Sequence, residues 1–285
     1  MRGGLVAVAL AVAVSGAVLF AGQSTSGVNL VEVYASVTDS QGNPIASLTQ
    51  SDFELRENGE LQTISNFGAG EFSLSAAIAI DRSFSMTGTR LSLARSAAQA
   101  FLAELRPQDE AMILGVGSQV EVLAPLSTDR SAQHAAIDKL DAFGTTGLYD
   151  AIIHAIDDVQ PAKGRRALVL LSDGDDRYSQ ASAADALDRA RRSDVMIFPV
   201  ALGAVRPPLF AELATLTGGR SYHARGGAAL ADTLRTIARE LRQQYLLGYT
   251  PTRPPVAGSN EWQSITVTVK RPDAHVRARA GYLVK

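Results

Sequence analysis

An apolar run, Ile78-Ala79-Ile80, ends in Asp81-Arg82-Ser83-Phe84-Ser85, so a carboxylate and two hydroxyls alternate along one short loop. Alternate side chains of such a loop can be directed to one point. A hard divalent cation such as Mg²⁺ takes oxygen ligands of this kind in an octahedron. The same residue types also cap helices, and a helix starts near Gly88. Alone, the motif fits a metal ion and a capped turn equally well. Two other segments change the balance. "FGTTGLYDAI" places the hydroxyls of Thr145 and Thr146 in a Gly-flanked loop before a helix, and "LLSDGDD" places Asp173 directly after a buried strand.

The elements that must position these groups follow from periodicity. From Leu74 to Gln244 short apolar strands alternate with amphipathic helices. "SAAIAI" is followed by Leu91, Ala94, Ala98, Phe101, Leu102 and Leu105 on one helical face. "AMILGVG" and "QVEVLAPL" are close enough to pair as a hairpin. A helix over 129–140 comes next, then one marked by Leu148, Ile152, Ile156 and Val159. "RALVLLSDG" and "VMIFPVALG" are further buried strands, and Leu230, Leu234, Ile237 and Leu241 mark a last helix. The expected fold class is α/β, a doubly wound and mainly parallel sheet covered on both faces. In such sheets ligands sit beyond the carboxyl ends of the strands, where all three loops lie.

The flanks read differently. Over 28–70, Val31, Val33, Ala35 and Val37 alternate with polar residues, and Asn58-Gly59 signals a tight hairpin. Over 245–285, Ile265, Val267 and Val269 alternate with threonines. Arg277 and Arg279 share one strand face, expected to be a solvated outer face. Neither flank holds a core alone, so the two are expected to pack together as a small β domain with the α/β unit of 74–244 inserted between them.

The three loops, in this order and spacing, resemble the von Willebrand factor type A domain with its metal-ion-dependent adhesion site, over about Leu74 to Gln244. By position, Asp81, Ser83 and Ser85 match the family's Asp-x-Ser-x-Ser, Thr146 its loop threonine, and Asp173 the aspartate of its Ser/Thr-Asp-Gly loop. Thr145 is the alternative if the loop register shifts by one. The resemblance implies Mg²⁺ (or Mn²⁺ or Ca²⁺), ligated directly by the serines and often the threonine. The aspartates act directly or through water. One coordination position is left for a carboxylate of a protein partner. Among ligand-contact candidates, Phe84 is read as an apolar contact beside the metal, Arg82 as an aid to an acidic ligand or a solvated side chain, and Asp175 and Asp176 as rim residues. Asp150 is read as helix surface. The flanks also look like segments of exported bacterial proteins that carry this domain.

Composition narrows the alternatives. A net charge of −2 over 285 residues provides no field for nucleic acid, and the absence of cysteine excludes disulfides and thiolate chemistry. Neither a Gly-x-Ser-x-Gly elbow nor a phosphate-binding glycine loop is present. Of the four histidines, His134, His154, His223 and His275, the first two fall on expected helices as surface or packing residues. No acid and serine are evidently placed to make His223 a base, so an enzyme is not expected. The competing reading is a scaffold or assembly factor of an envelope complex with a structural metal. Met1-Arg2 and the apolar run Leu5 to Phe20 are read as an export signal over 1–21, with cleavage after Ala17 or Ala21, or as an uncleaved anchor. A run of about 17 residues reaches roughly 25 Å as a helix, short of a hydrocarbon core of about 30 Å. The expected location is exported: periplasmic, secreted or membrane-attached.

Overall fold

A computed structural model describes residues 30–284 except 71, 204, 205, 225 and 257, so the expected signal or anchor over 1–21 lies outside the described residues. Among the described residues no helix is long and apolar enough to cross a membrane.

Alternating side chains produce four N-terminal strands, β1 (Val31–Thr38), β2 (Phe53–Glu57), β3 (Glu60–Gln62) and β4 (Ile64–Ala69). The turn between β2 and β3 uses Asn58 at φ 49° and Gly59 at φ 81°, the pair of left-handed residues that a two-residue hairpin needs. The alternating region then contributes β5 (Leu74–Asp81), α1 (Thr89–Ala103), β6 (Glu110–Val116), β7 (Val120–Ser127), α2 (Arg130–Asp138) and α3 (Leu148–Val159). It continues with β8 (Arg165–Ser172), α4 (Ala183–Arg191), β9 (Met196–Ala201), α5 (Pro208–Thr217), β10 (Tyr222–His223) and α6 (Gly227–Arg242). Strands β11 (Tyr245–Tyr249), β12 (Trp262–Val269), β13 (His275–Ala278) and β14 (Gly281–Leu283) complete the chain.

The central sheet runs β10-β9-β8-β5-β6-β7, parallel throughout except for β7, which pairs antiparallel with β6. All eight residues of β5 are buried because helices cover both sides. Ala76, Ile78 and Ile80 pack with α1 and α6 residues such as Phe101 and Leu234, while Ala77 and Ala79 pack with Ile152 and Ile156 of α3. The chain passes from β5 to β6 on one side and later to β8 on the other. This reversal opens a crevice at the carboxyl ends of β5 and β8. The α/β expectation holds.

The flanks form two antiparallel sheets, β13-β1-β11-β4 and β14-β12-β2-β3, which share a core of Val33, Ala35, Leu55, Tyr245, Leu247 and Ile265. Strand β4, by which the chain leaves this sandwich, pairs directly with β11, by which it returns: Tyr245 lies opposite Ala69 and Leu246 opposite Gly68. The two ends of the α/β insertion are therefore held at one neck.

Arg277 and Arg279 do not lie on a solvated outer face. Strand β13 runs at a sheet edge beside β1, and Arg277 is turned onto α6 and the segment after α5, where it donates to the Gly219 carbonyl at 3.4 Å. Arg277 pairs with the buried Glu240 at 2.8 Å, and Glu240 also accepts from Ser36 Oγ at 3.0 Å. Arg279 lies over the Tyr282 ring, 5.6 Å from its centroid, and burial lowers its pKa. The Tyr222 hydroxyl is pushed up to about 12 by burial, with Glu240 adding to the effect. Alternation was read correctly for β1, but its second face is covered as well: Tyr34 packs edge-on to Phe72 with ring centroids 5.8 Å apart.

Replacing Arg277 with Ala leaves Glu240, only 5% exposed, without its cation. The expected loss of stability is about 3 kcal/mol, the lower end for a broken buried pair. Urea denaturation of Arg277→Ala measures it, and an unchanged midpoint contradicts the interface described.

Candidate functional site

The site starts from Asp81, the last residue of β5, which is fully buried. Its Oδ1 accepts from the Ser83 backbone N–H at 2.9 Å, folding the loop back so that Ser83 and Ser85 lie on the same side. The Ser83 and Ser85 hydroxyls are 3.0 Å apart. Asp81 Oδ2 accepts from Ser172 Oγ at 2.7 Å, and Ser172 Oγ accepts from the Gly174 N–H at 3.0 Å. One buried carboxylate thus holds its own loop and the loop that carries Asp173.

The threonine loop is attached by backbone. Phe143 N donates to Arg82 O at 2.6 Å, Phe84 N to Gly144 O at 3.0 Å, and Gly147 N to Gly117 O at 2.9 Å. The third loop closes on it: Arg177 N and Tyr178 N both donate to Thr146 O, at 2.9 and 3.0 Å. Gly144 sits at φ +76°, where a Cβ would lie 2.5 Å from Ser118 Oγ, so this approach admits only glycine. The two threonines differ in setting. Thr145 is exposed and committed to Ser118, whose hydroxyl lies 3.2 Å from its own. Thr146 is buried, and its hydroxyl makes no hydrogen bond among the described residues.

Ser83, Ser85 and Asp173 are joined to Asp81 through these contacts, and Thr146 enters by the backbone bonds. Arg82 turns away: it pairs with Glu121 at 2.6 Å and Asp141 at 3.3 Å, and lies over the Phe143 ring. Phe84 is 66% exposed. Asp175 is exposed and paired with Arg177 at 3.1 Å. Asp176 is not at the rim. Its carboxylate accepts from Leu148 N at 2.7 Å and Ser179 Oγ at 2.5 Å, a cap on the N-terminus of α3. Asp150 is likewise more than helix surface, since it accepts from Gln180 N and Ala181 N, both at 2.9 Å.

Several supporting residues carry no sequence pattern of their own. Ser172, Ser118 and Ser179 act only once separate loops meet. Arg90 donates to the Ser85 carbonyl at 3.0 Å and stands 3.8 Å from Asp173 Oδ2, bridging the first and third loops from outside. The histidines are engaged elsewhere: His134 with Gln99, His154 beside Asp158 at 3.8 Å, and His223 Nε2 at 2.8 Å from the Gly203 carbonyl.

Chemically, the three joined loops carry three hydroxyls and two carboxylates, of which the Ser83 and Ser85 hydroxyls touch each other. Among the described residues no group of three or more His, Cys, Asp or Glu is arranged to hold a metal, so any ion here relies on hydroxyl donors. The set fits a hard cation. The two serine hydroxyls hydrogen-bond each other at 3.0 Å, a separation that adjacent ligands of an octahedron with bonds of about 2.1 Å also have. The Thr146 hydroxyl keeps its lone pairs free.

Burial raises the Asp81 pKa. The hydrogen bonds from Ser172 and Ser83 oppose this, and nearby Asp173 adds to it. The folded protein therefore keeps a proton on Asp81 to higher pH than the unfolded chain does. With chelator present, stability falls as pH rises from the ordinary carboxyl value of about 4 through the raised one, and stays lower above it. Asp81→Asn cannot ionise and keeps an acceptor for Ser83 N–H. In EDTA near neutral pH it is expected to be more stable than the wild type and to lose this part of the pH dependence. Urea denaturation across the acidic to neutral range tests this, and a less stable Asn variant contradicts it.

Comparison with known proteins places the geometry in context. Residues 76–175 match the sequence profile of the von Willebrand factor type A domain. No curated protein matches the chain at a significant level. A solved von Willebrand factor type A structure from Catenulispora acidiphila superposes with a TM-score of 0.54 at 15% identity, covering 89% of this chain and 74% of that one. The vWF domain of the type V pili tip protein Mfa5 from Porphyromonas gingivalis gives 0.52 at 13% identity, covering 65% and 98%. BatB from Bacteroides thetaiotaomicron gives 0.50 at 16% identity, covering 60% and 100%. At these identities the structural likeness establishes the fold, and with the sequence match it makes the α/β unit similar to a von Willebrand factor type A domain.

Proposed function

We propose that the chain is a metal-dependent protein-binding module of the bacterial cell envelope, not an enzyme. In this reading Ser83, Ser85 and Thr146 hold a Mg²⁺ ion, with Mn²⁺ or Ca²⁺ as substitutes, and Asp81 and Asp173 act directly or through water. The ion supplies a Lewis-acidic coordination position that takes a carboxylate from a partner protein. The observation that carries the reading is the joining of three loops around a buried carboxylate whose hydrogen-bond partners are uncharged.

The protein's own residues do the preparatory work. Asp81 and Ser172 fix the separation of the first and third loops, so little order has to be gained when an ion binds. Arg90 lies over the outer side of Asp173 and provides a positive charge that a metal must compete with. Among the described residues His134, His154 and His223 are engaged by groups other than serine, which favours binding over hydrolysis. Envelope location is supported by the apolar N-terminal run and by the likeness to a pilus tip protein domain.

Mg²⁺ or Mn²⁺ is expected to stabilise the protein by about 2.7 kcal/mol at a hundredfold excess over Kd, and EDTA to reverse the rise in melting temperature. Asp81→Ala and Thr146→Ala are expected to lose that response while keeping the wild-type circular dichroism spectrum. A wild type whose melting does not respond to divalent ions sinks the proposal. Arg90→Gln removes the rival charge. Because an exposed ion pair contributes about 0.2–1 kcal/mol, Mg²⁺ affinity should rise by a factor of about 1.4 to 5 in isothermal titration; a weaker affinity shows that Arg90 supports the site instead.

A further inference from the structure

The helix that follows the threonine loop takes its cap from a different loop. Gly147 is the N-cap of α3 and has no side chain to offer the first turn, whose N–H groups lack partners within the helix. The third loop supplies the acceptors. Asp176 Oδ1 accepts from Leu148 N at 2.7 Å, and Ser179 Oγ accepts from Tyr149 N at 2.9 Å and Asp150 N at 3.1 Å. Ser179 Oγ is itself held by donating to Asp176 Oδ1 at 2.5 Å. Helices α2 and α4 are capped locally instead, by Asp129 on Ala132 N and by Ser182 on Asp185 N.

The bonding is returned. Asp150, in the first turn of α3, accepts from Gln180 N and Ala181 N, both at 2.9 Å. The Thr146 carbonyl accepts from Arg177 N and Tyr178 N, at 2.9 and 3.0 Å. Residues 146–150 and 176–181 thus hold each other through backbone and side chains at once. Thr146 begins the first segment, and Asp173 stands three residues before Asp176. A local cap orders one helix, whereas this reciprocal cap sets two donor-bearing loops against each other.

We infer that Asp176, with Ser179, is a positioning residue for the metal site. By capping α3 from the third loop it fixes Thr146 relative to Asp173, so both donors are in place before an ion arrives. This rests on the metal-binding reading above and adds the device that sets the geometry. Asp176 is not itself a ligand in this account, because its carboxylate is engaged by the helix start. Groups that hold ligands without touching the metal change affinity by about 10- to 100-fold when removed.

The test is Mn²⁺ titration calorimetry on the full chain, with melting in EDTA measured beside it. Asp129→Ala is the control, since it removes a cap of the same kind. Ser127, two residues earlier, pairs with Ala111 at the start of β6, so that cap lies at the amino edge of the sheet, away from the donors. Both Asp176→Ala and Asp129→Ala are expected to melt earlier in EDTA. Only Asp176→Ala is expected to weaken Mn²⁺ binding, by about 10- to 100-fold. Ser179→Ala, a smaller change, is expected to weaken it too, and carries the test if Asp176→Ala does not fold. Asp176→Asn loses the charge but keeps an acceptor for Leu148 N–H, and should recover most of the affinity. Wild-type affinity in the folded Ala variants, or an Asn variant as weak as Asp176→Ala, overturns the positioning role and leaves the metal reading standing. A wild type that binds no Mn²⁺ overturns both.

Discussion

The structure depends on the burial of one carboxylate. Asp81 ends the central strand of a sheet covered on both faces, where an unpaired charge is costly. The fold meets this cost with a backbone N–H from the carboxylate's own loop and a hydroxyl from a strand ninety-one residues away. Each bond sets the position of a different loop. The remaining cost shows as a raised pKa.

The surrounding architecture keeps that arrangement stiff. Helices on both faces of β5 seat it by small and β-branched side chains. The carboxyl-edge loops are then laced by backbone bonds from Phe84, Phe143, Gly147, Arg177 and Tyr178, which do not depend on side-chain rotamers. At the neck, β4 and β11 pair with each other, so the sandwich clamps both ends of the inserted unit. Glu240 of α6, Ser36 of β1 and Arg277 of β13 tie the sandwich to a helix that also packs on β5. The sandwich is therefore a support that contacts the α/β unit through buried polar groups.

How far this was legible in the sequence depends on the separation of the interacting residues. The apolar run of β5, the alternation of β1, the helical faces of α1, α3 and α6 and the Asn58-Gly59 turn are local patterns, and each appears where the sequence puts it. The oxygen-bearing first loop was legible because Asp81, Ser83 and Ser85 are spaced by two. The roles of Asp176 and Asp150 were not, since their partners lie about thirty residues off, in loops that meet only after folding. Arg277 and Arg279 show the same limit. Spacing reports that two residues share a face, and cannot report that Arg277 meets Glu240 of α6 while Arg279 lies over Tyr282. Arg82 lies in the variable position of the motif, and its direction was decided by Glu121 on the neighbouring hairpin.

The central claim is that hydroxyls and carboxylates from three loops converge on one cation. The most direct measurement is anomalous diffraction from a crystal grown or soaked in Mn²⁺. The account predicts a single strong manganese peak within bonding distance of the Ser83, Ser85 and Thr146 hydroxyls, absent in crystals of Asp81→Ala. A well-ordered crystal with no peak among these residues, or with manganese bound only elsewhere, would contradict it.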